Sequence, residues 1–483
     1  MIRTRLVATV GPACSDAQTL GAMIDAGVNV FRLNFSHGTL DTHQQMLQHI
    51  RSEAGRRQAM VAVMGDLCGP KIRLNRIDGG KCELIKGATV VFRRGDALGN
   101  AQTLTSSYPA LLDDVQVGHR LLIDDGNVQL RARSKTADEL VCEVEVPGVI
   151  SDRKGINLPD SKVSSPALTG KDREDLEWAI SNDLDFVALS FVRRPEDLIE
   201  LREIVLRHNS PIHLVSKIEK PEAVDSLQSI IDQSDVVLVA RGDLGVEMDV
   251  SRVPLIQKKI CLLCRRSRKP VIVATQMLQS MVESPVPTRA EVSDVANAIL
   301  DHADAVMLSA ETSVGKYPLP AVRMIRRIAE QTETFHDQFR HDLGGDSLIR
   351  PCLDMAVADG AVVVAERLQT RLIAVWTRKG DAARLLSKHR VHQPILAVTD
   401  DERVCRKMAM LYGVVAVCHP PEARLSRIPA ALDRILLEKK LAAVGERVVV
   451  TVDTRPDLPG ETDALFIHVV GSTTKPTSGV AAP

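Results

Sequence analysis

Short, predominantly apolar runs punctuate the first two thirds of the chain, at 6–10, 28–35 and 60–64, and again at 186–189, 212–215, 236–240, 271–274 and 305–308. Between them lie stretches with apolar residues at helical spacing, such as 16–26 and 42–54. Runs without alternation, bounded by turns, are the pattern of strands buried on both faces, and their alternation with helices predicts a parallel sheet. Three runs before the gap and five after it make eight, the number at which a βα repeat closes into a TIM barrel. The alternative, an open doubly wound sheet, is disfavoured because no Gly-x-Gly-x-x-Gly turn follows the first run.

Within the gap the rhythm changes. From about residue 70 to 166 the segments are short and alternating, with turn signals at Asp78-Gly79-Gly80, Lys86-Gly87 and Asp124-Asp125-Gly126-Asn127, which predicts a β-rich insertion built as a compact barrel or sandwich. A third region opens with a helical pattern at 352–368. It continues with apolar runs at 372–376, 395–398, 414–418, 448–452 and 464–470 alternating with helices. The expected organisation is therefore an α/β protein with a TIM (β/α)8 barrel (1–69 and 167–345) interrupted after its third strand by a β-rich lid domain (70–166). A C-terminal α/β domain (346–474) follows, and a Pro-, Gly-, Ser- and Thr-rich tail (475–483) is expected to be disordered.

Length agrees with this, since 483 residues exceed what one core organises. The 61 Lys and Arg nearly balance 62 Asp and Glu, so there is no global field to favour nucleic acid or an acidic membrane, and small anions must be gathered locally. No apolar run is long enough to span a bilayer and the first residues lack a signal-peptide pattern, which makes a cytoplasmic location the expectation. Nine cysteines, an odd number, are spread along the chain. The Cys261/Cys264 pair lies in a helical pattern without a second pair at zinc spacing, and is expected to pack in the core.

In a TIM barrel the chemistry sits at the carboxyl ends of the strands. The fifth and sixth runs each end abruptly in charge: Lys217 and Glu219 after one, Arg241-Gly242-Asp243 after the other. Lys217 and Glu219 are two apart and so share a side of an extended chain, and the neighbouring strand can bring Asp243 alongside. Two carboxylates beside a lysine suit a hard divalent cation and an anionic substrate. The second run ends in Arg32, Asn34, Ser36 and His37, the third in Asp66, the seventh in Thr275 and Gln276, the eighth in Ser309 and Glu311, and Arg73 lies just inside the insertion. Together these describe a pocket for a phosphorylated carboxylic acid bound with a divalent cation.

Several segments, in this order, resemble the pyruvate kinase family: Ala8-Thr9-Val10-Gly11-Pro12-Ala13, residues 32–38, Gly69-Pro70-Lys71-Ile72-Arg73, Asp124-Asp125-Gly126, Lys154-Gly155-Ile156-Asn157-Leu158-Pro159, Ser216-Lys217-Ile218-Glu219, residues 240–247, Ala274-Thr275-Gln276-Met277-Leu278 and residues 287–298. The resemblance implies phosphoryl transfer from phosphoenolpyruvate to ADP, giving pyruvate and ATP, the last step of glycolysis. It implies Glu219 and Asp243 as ligands of Mg²⁺ or Mn²⁺ and Lys217 as the cation on the transferring group and the enolate. Arg32 and Arg73 would grip phosphate, where a guanidinium fork fits well. Backbone N–H groups of Ala240, Arg241, Gly242 and Asp243 would meet the substrate carboxylate, with Thr275 and Ser309 near the substrate. Asn34, His37, Arg73 and Lys154 would face the nucleotide. Residues 287–298 are similar to the family's subunit-contact helix, which implies a homotetramer.

Two departures from the family pattern carry expectations of their own. Potassium-dependent members have Asp-Thr-Lys-Gly-Pro-Glu after the third strand, whereas this chain reads Asp66-Leu67-Cys68-Gly69-Pro70-Lys71. A tethered ammonium at Lys71 predicts activity without K⁺, although Asn34, Ser36 and Asp66 still fit a monovalent-cation site. In the last domain, Thr377-Arg378-Lys379-Gly380-Asp381 stands where the family has a Thr-x-Ser-Gly effector loop. Asp381 at the helix start disfavours a bisphosphate, while Arg378 and Lys379 could recruit a sugar monophosphate. Competing readings are a Mg²⁺-dependent lyase on the same barrel, a Schiff-base aldolase using Lys217, and a catalytically silent metabolite sensor.

Overall fold

The computed structural model describes residues 2–339, 353–420, 422, 425–454 and 462–472; the expected tail at 475–483 lies outside them. Eight parallel strands close into a barrel: β1 (Arg5–Thr9), β2 (Val30–Asn34), β3 (Ala62–Asp66), β4 (Phe186–Leu189), β5 (His213–Ile218), β6 (Val236–Ala240), β7 (Val271–Ala274) and β8 (Ala305–Leu308). Each pairs with its sequence neighbours and β8 returns to β1. Both faces of every strand are buried, which is why the sequence shows runs rather than alternation. Val7, Met64, Phe186, Leu238 and Met307 fill the barrel interior, whereas Leu6, Val63, Val187, Val237 and Val306 face the surrounding helices. The fifth run extends past Val215 to Ile218 because Ser216, wholly buried, satisfies its hydroxyl on Ser234 Oγ at 2.7 Å.

The chain leaves β3 through Gly69, whose φ of +66° and approach to the Phe191 ring exclude a side chain; a Cβ there would lie 2.7 Å from Phe191 Cδ2. Its N–H donates to Asp172 Oδ1 at 3.1 Å. Asp172 also accepts from Thr169 in the capping box that starts the helix Gly170–Ser181. One carboxylate thus pins both roots of the insertion. Between those roots, strands Thr89–Arg93, Thr103–Leu104, Arg120–Ile123, Val128–Lys135, Glu139–Val146 and Ile156–Asn157 form an open six-stranded sheet, with a two-stranded ribbon, Lys81–Leu84 with Gly148–Ser151, beside it. Phe92, Leu121, Leu130 and Val144 build a core of its own.

The last region carries β9 (Leu372–Trp376), β10 (Ile395–Thr399), β11 (Val414–Cys418), β12 (Arg447–Val452) and β13 (Ala464–Val469), in the order β11-β10-β9-β12-β13 with only β13 antiparallel. It closes the base of the barrel. Ala409 and Met410 join the interior cluster, the Met side chain alone contributing about 1.5–3 kcal/mol if fully buried. Around them Lys388 and Arg390 meet Asp304 at 2.6 and 3.1 Å, and Arg406 meets Asp183 and Asp185 at 2.7 Å each. Asp304 and Lys388 are almost wholly buried, so losing either partner would strand a charge, at a cost of about 3–5 kcal/mol.

Candidate active site

Lys217 leaves β5 at the barrel mouth with its Nζ 2.8 Å from Glu219 Oε1, 3.3 Å from Asp66 Oδ1 and 2.7 Å from Ser190 Oγ. Burial opposes its charge, but Asp66 and Glu219 outweigh that and hold the ammonium above its ordinary range. Glu219 is 2% exposed and also accepts from the Phe191 N–H at 2.9 Å. Burial pushes its carboxyl above the ordinary range; Lys217 pulls against this and Asp243 adds repulsion. Asp243 stands in the first turn of the helix Arg241–Glu247, which follows β6 directly.

The carboxylates fit a divalent cation. A buried Glu219 raised by burial and repelled by Asp243 is the environment such an ion relieves. Among the described residues no group of three His, Cys, Asp or Glu side chains forms a ready metal cage, so two carboxylates would leave the remaining positions to substrate and water oxygens.

Asp66 is the counter-ion that joins this group to the next. Its Oδ2 takes Arg32 Nε at 2.6 Å, and Arg32 Nη1 donates to Thr9 Oγ1 at 3.1 Å. Burial would raise the Asp66 carboxyl, yet Arg32 and Lys217 together hold it below its ordinary range. Asn34 Oδ1 accepts from the Ser36 N–H at 3.2 Å, shaping the loop that ends in His37. His37 is exposed; partial burial and then Arg73, Lys71 and Arg32 lower its imidazole below the ordinary value, which places three cations around it. Arg73 donates to the Arg153 carbonyl at 3.1 Å.

The sixth to eighth loops are braced internally. Arg241, whose backbone N–H was the expected substrate contact, directs its guanidinium to Asp294 at 2.7 Å and to the Thr275 carbonyl at 2.8 Å. The Gly242 N–H donates to Thr275 Oγ1 at 2.7 Å, and that hydroxyl donates to the Ala274 carbonyl at 2.6 Å. Thr275 and Gln276 have φ of +69° and +54°, a conformation that costs about 1–3 kcal/mol per residue and persists where surroundings enforce it. Glu311, 1% exposed, accepts from the N–H groups of Leu278 and Ser309 at 3.0 and 2.8 Å, so it ties the seventh loop to the eighth.

The insertion reaches the barrel through Asn157, whose Nδ2 donates to Glu247 Oε1 at 2.7 Å, an oxygen that also meets Lys220 Nζ at 2.5 Å. Lys154 is held by Asp124 at 2.7 Å within the insertion, and Asp124-Asp125-Gly126 form the left-handed turn of a hairpin. The cleft between insertion and barrel narrows to a cavity of about 30 Å³, bordered by Lys71, Asp125, Asn157, Lys220 and Asp243. Ser190, Phe191, Lys220, Glu247 and Asn157 were not among the sequence candidates; Ser190 directly follows the fourth apolar run, so the strand-end rule that found Lys217 also points to it.

Far from the mouth, Thr377 Oγ1 accepts from the Gly380 N–H at 3.0 Å, and Gly380, at φ +87°, starts the helix Asp381–Lys388. Trp376, Arg378, Asp400, His419 and Asp453 border a cavity of about 450 Å³ at this loop. Cys261 and Cys264 are core residues whose thiols burial pushes up.

A closed eight-stranded (β/α)8 barrel thus gathers at its mouth a buried lysine, two carboxylates and an arginine-rich corner, a set suited to an anionic substrate handled with a divalent cation. Residues 1–322 match the family model for the pyruvate kinase barrel domain and residues 355–468 that for the pyruvate kinase alpha/beta domain. The chain is 40% identical to the pyruvate kinase of Mycobacterium tuberculosis over 472 residues, covering 97% of this chain and 98% of the relative. It is 42% identical to that of Agrobacterium vitis over 477 residues, covering 98% and 97%. The crystal structure of a pyruvate kinase from Cryptosporidium parvum superposes with a TM-score of 0.91 at 35% identity, covering 97% of this chain and 96% of that one. The chain belongs to the pyruvate kinase family, and the relatives support the kinase over the lyase and sensor alternatives. No helix among the described residues is long and apolar enough to cross a membrane.

Proposed function

We propose that this chain transfers the phosphoryl group of phosphoenolpyruvate to ADP with a divalent cation, Mg²⁺ or Mn²⁺, held by Glu219 and Asp243, and that it does so without K⁺. The observation that carries the reading is Lys217, buried between Asp66 and Glu219 at a strand end. The bound cation would neutralise charge on substrate oxygens. Lys217, kept protonated by its two carboxylates, faces the negative charge that builds as the bond to phosphorus breaks, where a preorganised cation counts most. Arg32, fixed by Asp66 and Thr9, and Arg73 grip the phosphate, so the group is oriented before transfer.

Thr275 acts by position. Its hydroxyl is engaged with Ala274 and Gly242, which makes it the brace of the loop where the substrate carboxylate meets the helix Arg241–Glu247. Ser309 is held through its backbone N–H, which donates to Glu311. Asn34, His37 and Lys154 border the nucleotide. The insertion serves as a lid, bordering the cleft with Asp125 and Asn157 opposite Lys220 and Asp243, so substrates enter when it lifts and water is excluded when it returns. Lys71 supplies a fixed positive charge beside Arg73 and His37 in place of a monovalent cation. The loop Thr377-Arg378-Lys379-Gly380 takes a sugar monophosphate, and the chain assembles as a cytoplasmic homotetramer.

Pyruvate formation from phosphoenolpyruvate and ADP, followed with Mg²⁺ in K⁺-containing and K⁺-free buffer, tests the reading. Equal turnover in both is expected. Turnover only with K⁺ would discard the role of Lys71, and no pyruvate in either would discard the reaction.

A further inference from the structure

At the base of the barrel, opposite the mouth, a second cavity of about 210 Å³ lies between the two domains. Its barrel wall is formed where β4, β5, β6 and β7 begin, with Phe186, His213, Asp235 and Lys269; its other wall carries Arg384, Lys407, Met408 and the loop from Lys379 to Asp381. The floor is apolar and the rim is cationic.

The two carboxylates at the rim are already committed. Asp235 takes Arg202 at 3.0 Å and the Leu214 N–H at 2.8 Å, and Asp381 takes Arg384 at 2.7 Å. The lysines are not. Lys407 Nζ reaches only the Pro211 carbonyl, at 3.1 Å, and among the described residues no carboxylate lies within ion-pair distance of Lys269, Lys379 or Lys407. Lys269 and Lys407 are half-buried and burial lowers both ammonium groups; Asp235 at Lys269, and Asp401, Asp185 and Asp235 at Lys407, offset this only in part, and Arg384 and Arg406 oppose them. His213 is neutral there, its imidazole lowered to about 4 by burial, so it can donate or accept without adding charge. Half-buried ammonium groups beside a void, whose neighbouring carboxylates are already paired elsewhere, are stabilised by an anion that enters it.

We infer that this inter-domain cavity binds a phosphoryl group, as inorganic phosphate or a small phosphate monoester, gripped by Lys269 and Lys407 with Lys379 and Arg384 at the rim. Its volume of about 210 Å³ has room for the tetrahedral anion and attached carbon atoms. The site is distinct from the 450 Å³ cavity, although Lys379 and Asp381 line both, so the loop from Thr377 to Asp381 is a shared wall. A ligand here would tie that loop to the starts of β5 and β6, the strands whose other ends lead to Lys217, Glu219 and Asp243.

Calorimetric titration of the full-length protein with inorganic phosphate, and separately with glycerol phosphate, tests the site without recourse to turnover. Lys269→Met and Lys407→Met are each expected to weaken one binding event by about tenfold or more, since each removes a charged donor. Lys407→Arg is expected to retain it, as is Arg378→Ala, which alters the larger cavity alone. Unchanged binding in both Met variants, loss in Arg378→Ala with the lysine variants intact, or no heat with either anion would overturn the proposal. If a Met variant fails to fold, Lys407→Gln carries the same expectation.

Discussion

Replacing Lys217 by Met removes the one ammonium that reaches both Asp66 and Glu219. Asp66 keeps Arg32 at 2.6 Å, so the charge left without compensation is that of Glu219, 2% exposed and retaining only the Phe191 N–H. Breaking a buried pair from one side costs about 3–5 kcal/mol. Glu219 has an escape, because its carboxyl is already raised and rises further once Lys217 is gone, so it takes up a proton in the folded state. Folding then favours the protonated form, and the penalty shrinks as pH falls toward that raised value. Metal-free Lys217→Met should unfold at lower urea than the native chain at pH 8, with the gap narrowing as pH is lowered. Turnover with Mg²⁺ should fall by about 10²–10³-fold, the scale of losing one preorganised donor to the transition state. A stability gap independent of pH would refute the assignment of the stranded charge to Glu219. Turnover within tenfold of native would refute the role of Lys217 itself.

Lys71→Glu should make activity depend on K⁺, measured as pyruvate formation across K⁺ concentrations; a K⁺-indifferent variant would count against the tethered-ammonium argument. Asn157→Ala removes the link from the insertion to Glu247, a hydrogen bond to a charged group worth about 1.5–3 kcal/mol, so kcat/KM should drop about tenfold or more with little change in thermal midpoint. An unaltered kcat/KM would mean that this contact does not hold the lid. His213, lowered from 6.5 to about 4 by burial, stays neutral in the fold while the unfolded chain takes up a proton first. Stability should therefore decline as pH falls from 6.5 towards 4, by at most about 3 kcal/mol, and His213→Gln should flatten that part of the thermal-midpoint profile. Equal acid sensitivity in the variant would refute it.

The barrel was legible because its strands are buried on both faces. The runs at 186–189, 236–240, 271–274 and 305–308 coincide with β4, β6, β7 and β8. Where a polar residue interrupts the run, as Ser216 does in β5, the periodicity stops short, since a hydroxyl that finds a buried partner leaves no trace in sequence. Lys217, Glu219 and Asp243 could be found because strand ends must point somewhere. The Arg241 guanidinium could not be placed from sequence, because it reached Asp294, 53 residues on. The Asn157–Glu247–Lys220 group was equally silent: it joins separate domains, and no spacing along the chain encodes that meeting.

The plug that the C-terminal domain supplies to the barrel base bears on how the molecule is made. All eight barrel strands have been synthesised once Leu308 emerges, but Ala409 and Met410, and the Lys388 and Arg390 that neutralise Asp304, emerge much later. At ordinary ribosomal rates that interval is roughly 5–20 s. During it a nascent barrel carries an open apolar base and a carboxylate without its two cations, which makes this end the one where a chaperone would engage. A chain truncated before residue 388 would keep Lys217, Glu219 and Asp243 and remain trapped at that stage.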